Sequence, residues 1–195
     1  TPLSSIMGWI TLLKEKEKKS LPINEIEKDV ERLNLITDRF SKVGSKPELK
    51  PLNITSNIQE TLSYLIKRSS KQILFEIDIP KKNIIIPFNP QLLGWTLENL
   101  IKNGIDSMKG KGKLCVQLNE KRRHVEILIS DTGSGIKREL LSKIFKPGFT
   151  TKTRGWGLGL SLAKRIIEDF HLGKIIIFKT VLGKGTCFQI LLNKI

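Results

Sequence analysis

Asp131-Thr-Gly-Ser-Gly135-Ile136 closes an apolar run that begins near His124, and about twenty residues later Gly155-Trp-Gly157-Leu-Gly159-Leu160 opens a helical pattern. A strand that ends in a carboxylate, followed by a glycine cluster, puts an acceptor where a purine's exocyclic amine can donate to it. Glycines supply bare backbone N–H groups that phosphate oxygens can reach with no Cβ in the way. Working outward, helices are expected over 53–69, 90–108 and 157–170, and strands over 73–79, 113–119, 124–130, 174–181 and 186–193. Helices interleaved with hairpin-like strands predict an α+β fold, a two-layer α/β sandwich with a mixed sheet.

Upstream, Leu3, Ile6, Met7, Ile10 and Leu13 fall on one helical stripe, and Ile26, Val30, Leu33, Thr37 and Phe40 repeat at alternating threes and fours. Ser20-Leu21-Pro22 breaks the two patterns, so an antiparallel helical hairpin is expected. One hairpin cannot bury both stripes, and a homodimer through a four-helix bundle would complete its core. Gly44-Ser-Lys-Pro47-Glu-Leu-Lys-Pro51 reads as a polar, proline-broken linker, which divides the chain into a hairpin over 1–46 and an α/β domain over 47–195.

Composition narrows the function. The chain has 195 residues, 39% of them hydrophobic, enough for one good-sized core. It contains no apolar run of the roughly 20 residues that a bilayer demands, so no membrane contact by this stretch and a cytoplasmic setting are expected. Cys115 and Cys187 lie far apart without zinc spacing and are expected as two reduced, buried thiols. The net charge of +15 raises nucleic-acid binding as a rival reading. The cations are scattered without interleaved aromatics, however, so a solvated basic surface is the expectation, attractive to nucleotides and acidic proteins.

Inside the expected helix 90–108, Asn99 and Asn103 stand four apart on one face, while Leu97, Leu100 and Ile101 turn inward. A carboxamide oxygen can ligate Mg²⁺, which usually meets a protein through one or two groups plus substrate phosphates. Ile144-Phe145-Lys-Pro-Gly148-Phe149-Thr150-Thr151-Lys152-Thr-Arg154 has the composition of a mobile lid with cations and hydroxyls for phosphates, anchored by its two phenylalanines. The GxGxG that follows is neither a dinucleotide fingerprint nor a Walker loop.

Taken in order, Asn-Leu-Ile-Lys-Asn (99–103), Asp-Thr-Gly-Ser-Gly (131–135), Phe-Thr-Thr-Lys (149–152) and Gly-Leu-Gly-Leu-Ser (157–161) resemble the N, first-glycine, F and second-glycine boxes of sensor histidine kinases. Those kinases share an ATPase superfamily with gyrase, mismatch-repair ATPases and a heat-shock chaperone. The resemblance implies that ATP and Mg²⁺ are the cofactors, that Asn103 ligates the metal, that Asn99 supports the phosphate side and that Asp131 reads the adenine amine. It implies further that Gly133 and Gly135 shape the adenine pocket, that Thr150, Thr151 and Lys152 belong to the lid, that Gly157 and Gly159 admit phosphates, and that Thr186 lies near the adenine. Asp106, Ile136, Phe145, Gly155, Leu158 and Leu160 complete the implied nucleotide-binding set. Trp156 departs from the pattern, where threonine or a small residue is commoner.

The implied reaction is transfer of the γ-phosphoryl group of ATP to a histidine and relay to an aspartate on a response regulator receiver domain. The resemblance makes the N-terminal hairpin the dimerisation and phosphotransfer module and sets the acceptor histidine four residues before Thr1, so this stretch is expected to bind nucleotide and dimerise without autophosphorylating. His124 and His171 are read as structural. A gyrase- or chaperone-like hydrolase would want a water-activating carboxylate one turn before Asn103, and that position is Asn99; Glu98 points off the face.

Overall fold

The computed structural model describes residues 2–16, 26, 30, 47–152 and 156–194, which fall into two compact units, Thr1–Pro47 and Glu48–Ile195. In the first unit α1 spans Pro2–Lys16. Ile10 on α1 is buried, whereas Ile6, Trp9, Leu12 and Leu13 are exposed; of the expected second helix, Ile26 and Val30 are described, both helical, with Val30 buried and Ile26 exposed. The turn at 20–22 and the rest of the expected second helix lie outside the described residues.

The second unit opens with a two-stranded antiparallel ribbon, β1 (Lys50–Asn53) against β3 (Ile85–Phe88). The sequence reading put Lys50 and Pro51 in a linker and left 85–88 unassigned. Pro51 stands directly opposite Pro87, at a pair of the ladder where neither strand exchanges a hydrogen bond, so two residues without an N–H are accommodated in one small sheet. α2 (Ile54–Arg68) follows at once. Its start is set by Asn53, whose side-chain oxygen accepts from the Thr55 N–H at 3.1 Å and whose amide reaches Asn83. Ile54, Ile58, Leu62 and Leu65 form its buried stripe.

α3 (Pro90–Ser107) begins in the same way: Asn89 caps the Leu92 N–H at 3.1 Å, and Pro90 takes the first helical position, where no N–H is needed. Leu93, Leu97, Leu100 and Ile101, all fully buried, face the sheet. That sheet has the order β2-β4-β5-β7-β6, with β2 (Ile73–Asp78) parallel to β4 (Gly112–Glu120) and the remaining pairs, through β5 (His124–Asp131), β7 (Gly185–Asn193) and β6 (Lys174–Val181), antiparallel. Period-two alternation sends Leu114, Val116, Leu118, Val125, Ile127, Ile129, Phe188, Ile190 and Leu192 into the core. The other face is held by amide and acid pairs: Gln117 donates to Asp78 at 3.1 Å, and Asn119 and Gln189 both donate to Glu126. One apolar face and one polar face give two layers, as the sequence predicts.

The helix expected over 157–170 is α-helical as α4 (Gly159–Arg165) and then widens to a π-helix over Ile166–Phe170. His171 closes it. Its Nδ1 donates to the Ile166 carbonyl at 2.7 Å, and its Nε2 accepts from the Asn89 N–H at 3.1 Å, so a neutral ring ties the end of the π-turn to the cap of α3. Burial pushes this imidazole below its ordinary range, against the upward pull of the bond to the Ile166 carbonyl. His171 is therefore the structural residue that the sequence suggests. The two cysteines are free but only half-buried, a correction to the expected buried thiols; each stands opposite Ser130 from a different neighbouring strand. No helix among the described residues is long and apolar enough to cross a membrane.

Candidate functional site

The last residue of β5, Asp131, points toward α3 rather than into solvent. Its Oδ1 accepts from the Ser107 hydroxyl at 2.9 Å and from the Gly133 N–H at 2.8 Å, and the Thr186 N–H also faces the carboxylate and favours its charge. Burial raises the Asp131 pKa above the ordinary aspartate value, while the donors of Gly133, Ser107 and Thr186 oppose the shift. A carboxylate fixed in this way and only half-buried remains an acceptor for one more donor.

Three close approaches enforce the floor. A Cβ on Gly133 would lie 1.8 Å from the Ser107 hydroxyl, one on Gly185 1.9 Å from the Asp131 carbonyl oxygen, and one on Gly104 3.2 Å from the Asp131 Cβ. Glycine is required at the first two by space alone. Gly135, at φ +68°, backs against the Val181 carbonyl, and the Ile136 N–H donates to the Thr180 hydroxyl at 2.9 Å. Thr180 in turn lies 3.1 Å from the Thr186 hydroxyl, so both strands of the β6–β7 hairpin are tied to the loop after β5. Asp131, Gly133, Gly135, Ile136 and Thr186 are thus brought together.

At the other end stand Asn99, Asn103 and Asp106, on one face of α3. The Asn99 Nδ2 is buried with no hydrogen-bond partner, and the carboxamide oxygen of the same side chain lies 3.3 Å from where a Cβ on Gly159 would sit. An orphaned buried donor beside a backbone left bare at Gly159 is chemically apt for an anionic oxygen. Asn103 Oδ1 and Asp106 Oδ2 converge on one cation, the Lys152 ammonium, at 2.9 and 2.7 Å. The Asn103 carboxamide oxygen, a hard donor that already holds a cation, fits Mg²⁺.

The segment between the glycine clusters is anchored at Phe145, whose ring meets Phe188 edge-on at 6.4 Å and lies beneath the Lys164 ammonium at 5.5 Å. Thr150 and Thr151 are exposed, and the Thr150 hydroxyl accepts from the Lys152 N–H at 3.1 Å. Gly157, at φ +65°, packs against the Gly148 backbone, where a Cβ would come within 2.4 Å of the carbonyl carbon, and its own carbonyl accepts from the Gly148 N–H at 3.1 Å. Its glycine is needed to close this loop on itself, a local role that the sequence reading did not assign. Leu158 precedes α4 as its cap residue, and Leu160 sits half-buried in the first turn. Gly155 lies outside the described residues. Trp156 is exposed at the end of the segment.

Ser107, Gly104 and Thr180 complete the floor without having been assigned a role from the sequence, and Gly185, which precedes Thr186, joins them. Gly104 left one signal: a glycine inside an otherwise regular helix costs about 1 kcal/mol relative to alanine and so points to a close approach. Ser107 left none beyond its place four residues after Asn103.

A carboxylate floor beneath one end of α3, an amide face along it and a glycine-bounded loop across from it, on a mixed five-stranded sheet, define an ATP-binding domain. The family model described as histidine kinase-, DNA gyrase B- and HSP90-like ATPase matches residues 89–194, and the chain belongs to that family. Among its relatives is sporulation kinase D of Bacillus subtilis (strain 168), 31% identical over 192 residues that cover 95% of this chain and 38% of the relative. The catalytic domain of histidine kinase ThkA is similar in structure, with 30% identity and a TM-score of 0.69 over 76% of this chain and 97% of that one. A second ThkA structure, in complex with response regulator protein TrrA, aligns with 99% of this chain and 58% of that one at 26% identity and a TM-score of 0.69. The chain spans well under half the length of the curated relatives it matches.

Proposed function

We propose that this chain is the kinase core of a cytoplasmic sensor histidine kinase: it binds Mg²⁺-ATP between Asp131 and Asn103, and the protein carrying it passes the γ-phosphoryl group to a histidine and then to a response regulator. The observation that carries the reading is Asp131, half-buried, ringed by three donors and still able to accept a fourth. In this account the adenine amine donates to Asp131, within walls supplied by Gly133, Gly135, Ile136 and Thr186. The orphaned Asn99 amide, the backbone at Gly157 to Leu160 and the lid residues Thr150, Thr151 and Lys152 meet the phosphates. Phe145 anchors the lid.

Asn103 would hold Mg²⁺, and the metal, when bound, supplies neutralisation of phosphate charge. The chain's own contribution is positioning and electrostatic complementarity, which is most of what phosphoryl transfer asks of a protein. Glu98, the carboxylate next to Asn99, is engaged with Lys102 at 2.6 Å, which supports transfer over hydrolysis. The relay to a receiver domain is supported by the relative solved with its response regulator. Dimerisation is supported by the exposed Ile6, Trp9, Leu12 and Leu13 of α1, which together form an apolar surface beside buried Ile10.

The test is calorimetric titration with ATP and GTP in Mg²⁺. ATP should bind, and Asp131→Asn should weaken it by about 10- to 100-fold, the worth of a charge-assisted hydrogen bond of about 1.5–3 kcal/mol. Equal affinity for GTP would contradict the adenine assignment.

A further inference from the structure

Lys152 and Asn103 are 49 residues apart, yet the lysine ammonium donates to the carboxamide oxygen at 2.9 Å and is held there by Asp106 at 2.7 Å. Asp106 follows Asn103 by three positions and so presents its carboxylate on the same face of α3. The oxygen that Lys152 occupies is the one the proposed function gives to Mg²⁺. An ammonium 2.9 Å from that oxygen and a magnesium ion about 2.1 Å from it would be no more than about 5 Å apart, and like charges at that range repel.

We propose that Asp106 is a positioning residue that parks the Lys152 ammonium on Asn103, so that Lys152 and Mg²⁺ are alternative occupants of one carboxamide oxygen. On Mg²⁺-nucleotide binding the Lys152 ammonium would leave Asn103 Oδ1 for the incoming phosphate oxygens, and the freed carboxamide oxygen would be the group that holds the metal. The Asn103 carboxamide oxygen keeps a cationic partner throughout, because one cation replaces another. Asp106 sets how readily the exchange occurs. The Lys152–Asp106 pair is half-exposed, so its hold is modest and screened by salt.

The inference rests on the Mg²⁺-ATP reading and is tested by titrating ATP calorimetrically into the full chain at a series of Mg²⁺ concentrations. In Asp106→Asn the lysine is kept but not parked, and the Mg²⁺ concentration that gives half of the metal's effect on ATP affinity should fall about two- to fivefold, the worth of an exposed ion pair. Asp106→Glu should restore the wild-type value, and about 0.5 M salt should bring wild type close to Asp106→Asn. Lys152→Gln should lower the Mg²⁺ requirement to a similar extent, with no further fall in the double variant. A residue important only for folding would lower the melting temperature without moving the Mg²⁺ dependence. An unchanged requirement in Asp106→Asn overturns the inference, as does a raised one, which would make Asp106 a metal ligand itself. Failure of wild type to bind ATP at all would contradict the parent reading instead.

Discussion

Asp131 has a double character. Burial disfavours its charge, while Ser107, Gly133 and Thr186 favour it. Because the folded pKa is raised, the native chain holds a proton more tightly than the unfolded chain does between the ordinary aspartate value and the raised one. The resulting stabilisation is present at acid pH and lost as pH rises through the folded pKa, so keeping Asp131 ionised at neutral pH costs stability. Ser107→Ala removes one of the three opposing donors. It should raise the Asp131 pKa further, measurable by ¹³C-carboxyl NMR titration, and weaken ATP binding about 3- to 10-fold, the worth of a typical hydrogen bond. A Ser107→Ala chain with wild-type ATP affinity and an unmoved Asp131 titration would show the hydroxyl to be incidental. Asp131 was legible in the sequence because a strand ending in a carboxylate ahead of glycines is a rare arrangement. Ser107 was not, since a serine late in a helix has many local uses. Nor was the Lys152 bond to Asn103, which depends on two side chains that only the tertiary fold brings together.

At the scale of elements, the alternating strands β4, β5 and β7 and the helices α2 and α3 declared themselves through clean periods of two and of three to four. The β1–β3 ribbon did not: Pro51 and Pro87 are ordinary markers of loops, and only their facing each other removes the objection to a sheet. The π-turn was hidden for a different reason, because its residues read as helix by any apolar periodicity. Its closure by neutral His171 gives a pH-dependent stability. The folded pKa is depressed, so the unfolded chain takes up a proton first on acidification, and the contribution present above about pH 6.5 is lost as pH falls below it. Chemical denaturation at pH 8 and pH 5 should show the loss in wild type and less of it in His171→Gln. The next residue, Leu172, is exposed at φ +51°, a left-handed conformation that a branched side chain resists. Leu172→Gly should stabilise the chain by about 0.5–1 kcal/mol in the same measurement, whereas destabilisation would mean that the Leu172 side chain makes contacts worth more than the strain.

For the whole molecule, the α/β unit exposes Leu74, Leu172, Phe178 and Leu182 around its core, and α1 leaves Ile6, Leu12, Leu13 and, at 65% exposure, Trp9 uncovered. The proposed dimer covers those of α1. Trp9→Glu combined with Leu13→Glu should shift sedimentation from dimer to monomer at micromolar concentration while leaving ATP binding by the α/β unit intact. A wild-type chain that sediments as a monomer would contradict the bundle. The charge of +15 belongs to this scale as well, since a basic surface attracts anions such as nucleotides, and added salt should slow ATP association.

The most direct measurement is calorimetry of the full chain with ATP in Mg²⁺, repeated with Asp131→Asn and with GTP. The account predicts saturable binding of ATP at one site per chain, weakened about 10- to 100-fold by Asp131→Asn and far weaker for GTP. No heat with ATP, or binding that neither the substitution nor the base disturbs, would contradict it.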